Sequence, residues 1–399
     1  MSTVVFYISG HGFGHAVRQI TIINALRQAA PEVRVIVRTT APSWLFRRTG
    51  PADVTIVPGD TDTGVVQIDS LRPDERETIV RARAFQTGFR DRVRQEAAML
   101  RDAGASLVVA DAPPLACAAA AEADIPAVVC ANFTWDWIYR EYSEQPGVDE
   151  LVASLGESYA AAREAWRMPV HGGFETIERI IDIPFVARHA RNVDRASVRT
   201  RLGLPLARPL ALVSFGGYGL RQLPLDRLDC LREWDVVVTS PGEDRTMQSG
   251  RREASEPQER SGAGGPRERL CKGVPGDEVP RIHHVREDFM YDGGLRYEDL
   301  VRAVDVVITK PGYGILSDCL ANGTAMLFTP RGRFAEYDVM VREMPGLLRC
   351  RRIELDAFED GRWLESLRDL SSTPAPAHPA KTDGAQVAAA MIADLVNAP

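Results

Sequence analysis

Three glycine-bearing turns hold the residue types that could do chemistry. The first, Gly10-His11-Gly12-Phe13-Gly14-His15, sits between an apolar run (Thr3 to Ser9) and a stretch of helical periodicity. At such a strand-to-helix turn, unpaired backbone N–H groups and the positive end of the helix dipole favour an anion or a close ligand. The spacing is Gly-x-Gly-x-Gly-His, and the second strand ends in Thr39-Thr40 without an acid for a ribose, so a nicotinamide or flavin cofactor is disfavoured. Glycines that serve packing alone are the alternative. His11 and His15 lie four residues apart, a spacing that suits a metal pair on one helix. His11 falls in the turn itself, however, and no Cys/His/Glu cluster adds ligands, so no metal is expected. His15, at the helix start, is the candidate general base and His11 the second choice; a hydrogen-bonded structural histidine is the bland reading of either.

The second turn, Ser214-Phe215-Gly216-Gly217-Tyr218-Gly219, again follows an apolar strand. Two such loops facing one another would offer a diphosphate backbone N–H groups from both sides. The third segment, Lys310-Pro311-Gly312-Tyr313-Gly314-Ile315-Leu316-Ser317-Asp318, combines glycines after a strand with a hydroxyl at Ser317 and a carboxylate at Asp318 that could meet a ribose diol. Arg331, Arg333 and Glu336 follow in the loop after the next strand, where they could contact phosphates or sugar hydroxyls, or be ordinary solvated charges.

The elements that must position these turns alternate. Strand candidates at Thr3 to Ser9, Val33 to Thr39, Val54 to Val57, Ser106 to Ala110 and Ala127 to Ala131 are separated by helical stretches, among them 74–101 and 115–123. The first helix carries the stripe Ala16, Ile20, Ile23, Leu26, Ala30, one apolar face against a sheet. The alternation restarts near Pro209 with strands at Leu210 to Ser214, Asp235 to Thr239, Val304 to Thr309 and Ala325 to Thr329. These patterns predict an α/β protein of two Rossmann-like, doubly wound domains, residues 1–190 and 191–372. A polar Gly/Pro/Arg/Glu-rich stretch, 241–280, reads as a disordered surface insertion in the second domain. Residues 373–399 read as a linker and a last helix.

Composition bounds the rest. A chain of 399 residues exceeds what one core usually serves. The formal net charge of -7 lacks the basic field of a phosphate-backbone binder, so nucleic acid is not an expected partner. No apolar run reaches the ~18 residues of a membrane span, and the first residues lack a signal-peptide pattern. Six scattered cysteines without Cys-x-x-Cys spacing suggest buried free thiols and a cytoplasmic location.

Three stretches resemble the glycosyltransferase-like N-terminal half of L-arabinokinase and, more distantly, glycosyltransferase family 28. They are Ser9 to Arg18, Asn132-Phe133-Thr134-Trp135-Asp136-Trp137-Ile138-Tyr139, and Gly312 to Asp318 with its sequel to Glu336. The first two resemble the arabinokinase-like group and the third a general GT-B donor-site pattern. The resemblance implies a GT-B fold with a nucleotide-sugar in the cleft. Gly312 to Asp318 would bind the nucleotide and its ribose, Ser214 to Gly219 the diphosphate, and His15 would face the reacting sugar. Relatives usually carry Glu at the position of Asp318, so the reach to a ribose is shorter here. The kinase half expected after such a domain pair is not in this sequence, and sugar phosphorylation is not expected.

The resulting expectation is an inverting, metal-independent glycosyltransferase with a nucleotide-sugar donor, UDP-linked by resemblance, an unknown acceptor and no cofactor. Gly12, Gly14, Ser214, Gly216, Gly217, Gly219, Lys310, Gly312, Tyr313, Gly314, Ser317, Asp318, Arg331 and Glu336 would serve the donor. Arg18, Asn132, Trp135 and Asp136 would line the acceptor side, although core aromatics are an equal reading of the tryptophans. Two rivals stand beside it: a UDP-sugar hydrolase, because the Gly14-His15-x-x-Arg18 pattern resembles that of the UDP-sugar hydrolase of pseudaminic acid synthesis, and a noncatalytic nucleotide-sugar binder.

Overall fold

The structure is a computed structural model. It describes residues 2–191, 193–216, 228, 231, 233–240 and 282–397. The stretch 241–280, expected as an insertion, lies outside the described residues, as do Gly217 and Gly219.

The alternation of apolar runs and helices folds into two parallel sheets. The first contains β1 (Thr3–Ile8), β2 (Arg34–Thr39), β3 (Thr55–Pro58), β4 (Ala105–Asp111), β5 (Ala127–Phe133), β6 (Glu164–Gly172) and β7 (Ile180–Asp182), in the order β3-β2-β1-β4-β5-β6-β7. The second contains β8 (Leu210–Val213), β9 (Asp235–Ser240), β10 (Ile282–Arg286), β11 (Val306–Thr309), β12 (Ala325–Phe328) and β13 (Cys350–Arg352), in the order β10-β9-β8-β11-β12-β13. Central strands such as β1 and β11 are buried along their whole length, as strands covered by helices on both faces must be. In each sheet the chain winds outward on one side of the first strand, then returns to its other side. The crevice at the carboxyl ends of β1 and β4, and its counterpart at β8 and β11, is therefore a topological switch point, where open α/β sheets bind ligands.

Local differences from the sequence expectation have local causes. Residues 74–101 form two helices, Glu75–Gln86 and Phe89–Asp102, because Gly88 between them adopts a left-handed φ of 76°. β6 contains Pro169, a residue that argues against a strand in sequence. The chain passes from the first sheet to the second after β7 and returns in the last helix, Gly384–Asn397, which packs on α1 (Gly14–Ala29) rather than on the second domain. Its Ala385, Ala388, Ala389 and Ile392 join Ile20, Ile23 and Leu26 in one buried cluster. The crossing and returning segments run side by side: Phe185 N–H donates to Lys381 O (3.1 Å) and Gly384 N–H to Phe185 O (3.0 Å). A Cβ at residue 384 would lie 2.1 Å from Pro184 O and 2.9 Å from the Phe185 carbonyl, so only glycine fits that approach. Among the described residues no helix is long and apolar enough to cross a membrane. Cys117, Cys130 and Cys319 are buried free thiols and Cys350 is a half-buried one.

Because Ile392 is fully buried against α1, Ile392→Ala is expected to lower the unfolding free energy by roughly 2–5 kcal/mol, measured by urea denaturation. An effect below about 0.5 kcal/mol would mean that the last helix is not part of the first domain's core.

Candidate active site

The turn after β1 delivers His15 into the first switch point. Gly12 makes the turn possible, with a φ of 68° that strongly favours glycine. His15, Arg18 and Gln19 then fall on one helical face, because positions three and four apart are neighbours. That face meets Asp111, which ends β4 beside Ile8 of β1. His15 Nδ1 lies 2.8 Å from Asp111 Oδ1, Arg18 Nε donates to Oδ2 at 2.5 Å, Arg18 Nη2 donates to Oδ1, and Gln19 Nε2 donates to Oδ2 at 2.8 Å. Burial alone would raise the Asp111 carboxyl, but the charges of Arg18 and His15 outweigh it and hold the group down to about 2. Arg18 Nη2 also lies 2.8 Å from His15 Nδ1, so that nitrogen faces both a carboxylate and a guanidinium; a proton on Nδ1, shared with Asp111, leaves the lone pair on Nε2. His15 is 4% exposed.

Around His15 stands an aromatic wall: Phe133 at 5.4 Å between ring centroids, Trp135 at 6.1 Å and His11 at 6.4 Å. Trp135 is stacked on Tyr139 at 5.7 Å, and its Nε1–H donates to Asp62 Oδ2 at 2.8 Å. Asp62 Oδ1 accepts from Ser9 Oγ at 3.0 Å, and burial raises the Asp62 carboxyl to about 6. His11 is held differently from His15. Its Nδ1 accepts from Val65 N–H at 3.3 Å and its Nε2 lies 3.2 Å from the Gln67 side-chain nitrogen. Burial, then the electrostatic influence of His15, Arg331 and Lys310, push His11 well below its ordinary range. Both ring nitrogens are thus engaged by neighbours on the 59–74 segment, an arrangement for a wall residue rather than for a base.

The second domain presents its own switch point opposite. Ser214, Phe215 and Gly216 follow β8, and Lys310 to Gly314 follow β11, opening the helix Tyr313–Asn322. This helix and α1 meet N-terminus to N-terminus: a Cβ built on Gly314 would sit 3.7 Å from Gly14 Cα. Neither start has a side-chain cap or an acidic residue in its first turn. Two unneutralised positive helix ends therefore converge on one place. Lys310 and Arg331 add charge; burial and Arg331 bring the Lys310 ammonium down to about 7. The cleft between the domains has a volume of about 550 Å³, and the first domain contributes Phe13, Val17, Trp44 and Leu45 to its wall beside the residues named above. Trp44 Nε1, Gln67 Oε1, the Tyr313 hydroxyl and Arg331 Nε belong to lining residues and are buried without a hydrogen-bond partner. Three of the four can donate and Gln67 Oε1 can accept, so the cleft is prepared for a ligand rich in oxygen that also carries a donor.

The structure gathers most of the sequence candidates here. His11, Gly12, Gly14, His15, Arg18, Trp135, Ser214, Gly216, Lys310, Gly312, Tyr313, Gly314, Asp318, Arg331 and Glu336 all line the cleft. Three candidates turn elsewhere, and Asp318 lines the cleft but is already engaged. Asn132 accepts from Arg18 Nη1 at 2.9 Å and donates to Pro169 O at 2.8 Å, so it braces Arg18 from behind. Asp136 is buried behind the wall, 3.6 Å from Arg140. Ser317 donates to Tyr313 O one turn back, at 2.8 Å, and so does not reach for a ligand oxygen. Asp318, expected to hold a ribose, is 2% exposed and engaged through both carboxylate oxygens by Arg188 Nε (3.1 Å) and Nη2. Arg188, from the crossing segment, also lies 3.5 Å from Glu298 and over the Tyr297 ring at 5.3 Å. Sequence reasoning missed Asp111, Asp62 and Arg188. Asp111 had a usable signal, a charge ending the apolar strand 107–110, where switch-point ligands gather. Asp62 and Arg188 sit in irregular segments and had none.

Two switch points facing across a cleft define a GT-B glycosyltransferase fold. The chain aligns with the glycotransferase of kitacinnamycin over 99% of its length and 98% of that chain, with TM-score 0.56 and 16% identity. UGT2 of Phytolacca americana aligns over 100% of this chain and 94% of its own, with TM-score 0.56 and 11% identity. The spinosyn rhamnosyltransferase SpnG, solved with thymidine diphosphate, aligns over 100% and 96%, with TM-score 0.53 and 11% identity. In sequence, the chain is similar to L-arabinokinase of Arabidopsis thaliana, 26% identical over 402 residues, which takes in 96% of this chain. It spans 33% of that protein's length. No protein-family model matches the chain.

Gly314→Val places two γ-carbons against α1 at Gly14. It is expected to hold the two helix ends apart and weaken UDP binding at least tenfold by calorimetry, while the melting temperature moves by only a few degrees. Unchanged affinity would mean that the close approach of the two turns is not needed for an anion.

Proposed function

We propose that this chain is an inverting glycosyltransferase that moves a sugar from a nucleotide-sugar, UDP-linked by its resemblance, to a hydroxyl acceptor without a metal ion. The observation that carries the reading is the His15–Asp111 pair on the wall of a cleft whose opposite wall is an uncapped helix N-terminus. The acceptor oxygen forms a bond to the anomeric carbon as the bond from that carbon to the diphosphate oxygen breaks. His15 Nε2 takes the acceptor proton, and the electron pair leaves with the nucleoside diphosphate. Asp111 keeps the imidazole in the required tautomer and stabilises the imidazolium as it forms. The charge on the departing diphosphate is met by the starts of α1 and the 313–322 helix, the amides of Gly216, Gly312 and Gly314, and Lys310 and Arg331, the work a metal ion does elsewhere. Arg188, which occupies Asp318, would stand at the nucleoside end with Tyr297.

Thermal unfolding against UDP, TDP, GDP and their glucose conjugates tests the donor site. Saturation at ~100 times the dissociation constant stabilises by about 2.7 kcal/mol. A shift with one nucleotide family supports the reading, and no shift with any sinks it. In the nucleotide-sugar that binds, His15→Ala and Asp111→Asn are each expected to lower kcat by about 10²–10⁴-fold with donor affinity nearly unchanged. Equal losses in affinity and rate would place these residues in donor binding instead.

Lys310 gives a pH signature. A bound diphosphate raises the ammonium above about 7, so affinity is full below that pH and falls as pH rises through it. UDP-glucose is the proper probe, because its diphosphate is a diester and keeps its charge across this range. Calorimetry from pH 6 to 9 should show the fall in the wild type and a flat profile in Lys310→Met.

A further inference from the structure

Residues 59–74 leave β3, cross the mouth of the cleft and dock on the second domain. At the near end Asp62 accepts from Ser9 and Trp135, Gly64 O accepts from Tyr139 at 2.9 Å, and Val65 N–H reaches His11. Val65 and Gln67 line the cleft beside the aromatic wall. At the far end a short hairpin, with Gln67 bridged to Pro73 and Ile68 N–H donating to Arg72 O at 2.9 Å, presents Ser70 and Leu71. Ser70 Oγ donates to Phe215 O at 2.7 Å. Leu71 is buried in the second domain's own core with Phe215, Phe358 and Trp363. Its carbonyl accepts from Gly332 N–H at 2.7 Å, so close that a Cβ at residue 332 would sit 2.8 Å from that oxygen. The contacts Arg333–Glu144 and Tyr142 OH to Arg333 O (3.2 Å) continue the join.

The other mouth is bridged as well. Arg48, from the helix Ser43–Thr49, pairs with Asp292 at 2.6 Å, and Arg296 donates to Arg48 O. Phe13 and Trp44 close the wall beneath at 5.8 Å. With both mouths bridged, the donor and acceptor share about 550 Å³. Pockets of roughly 300–1,000 Å³ ordinarily serve a single drug-sized ligand, and a nucleotide-sugar is already that large.

We propose that residues 59–74 form a strap that limits the acceptor to a small hydroxylic molecule, of monosaccharide size or below and including water, with Ser70 and Leu71 as the positioning residues that hold it down. The inference rests on the transferase reading above. Among the described residues, a long or branched acceptor on this side meets Val65 and Gln67 while Leu71 stays docked.

Release of nucleoside diphosphate from UDP-glucose, UDP-galactose and dTDP-glucose would be measured with water alone, glycerol or free glucose, and with maltotetraose or 4-methylumbelliferone. Turnover with one of the small acceptors, and less than a twofold increase on adding either bulky one, is expected. Ser70→Ala/Leu71→Ser should raise the ratio of kcat/KM for maltotetraose to that for water at least tenfold. Gln67→Ala, which thins the roof without touching the anchor, should move the ratio the same way if the double variant fails to fold. Wild-type turnover that is faster with a bulky acceptor overturns the proposal. So does an unchanged ratio in a folded variant, or UDP binding by calorimetry without release to any small acceptor. Absence of binding by all three nucleotide-sugars and by UDP instead removes the transferase reading and the strap's role with it.

Discussion

A carboxylate with no solvent exposure, at the end of a parallel strand, persists in ionised form only if cations and donors surround it. Asp111 is that group, and the first domain's site is arranged around it. Arg18 supplies the charge, Gln19 a further donor and His15 the group whose chemistry the charge directs. Removing one partner would leave a buried charge uncompensated, which costs far more than one hydrogen bond. The arrangement ties three constraints together: α1 must begin at Gly14, β4 must stop at Asp111, and β1, which leads into α1, must be the sheet neighbour of β4. Parallel winding with the chain reversing beside β1 satisfies all three.

The second domain repeats the topology but not the chemistry. Its switch point carries a lysine, glycine amides and an uncapped helix start where the first carries a histidine and a buried acid. On the proposed reading, one half would move a proton and the other would receive negative charge. The approach of Gly314 to Gly14 brings these functions within a few ångströms of each other, and side chains at either position would separate them. The strap, the Arg48–Asp292 pair and the last helix on α1 each cross from one half of the chain to the other, so the cleft is held at both mouths and across its back.

Much of the frame was legible in the amino-acid order. Runs such as Thr3 to Ser9 and Leu210 to Ser214, followed by glycines and by helical stripes, specify strand, turn and helix through local sterics and burial periodicity. Both parallel sheets follow from that alternation. The glycines of the first and third turns, His15 and Lys310 were visible for the same reason: each sits at a fixed place relative to a recognisable element. Irregular or weakly patterned parts were less visible. Gly88 splits a helix that composition alone would continue, and β6 hides behind Pro169.

By itself, then, the sequence determined which residues could stand at strand ends and helix starts, because those placements depend on neighbours along the chain. Only the tertiary structure decided which of them meet. Asp111 is 96 residues from His15, and Arg188 is 130 from Asp318. Such pairings come from the winding of the sheets and from where the chain crosses between domains, and no local pattern encodes them. Asp318 shows the consequence. Its position one turn into a helix was readable in sequence, but its partner is an arginine brought by the crossing segment. Leu71 shows it again: an apolar residue in a polar loop becomes an anchor only because the core that receives it belongs to the other domain.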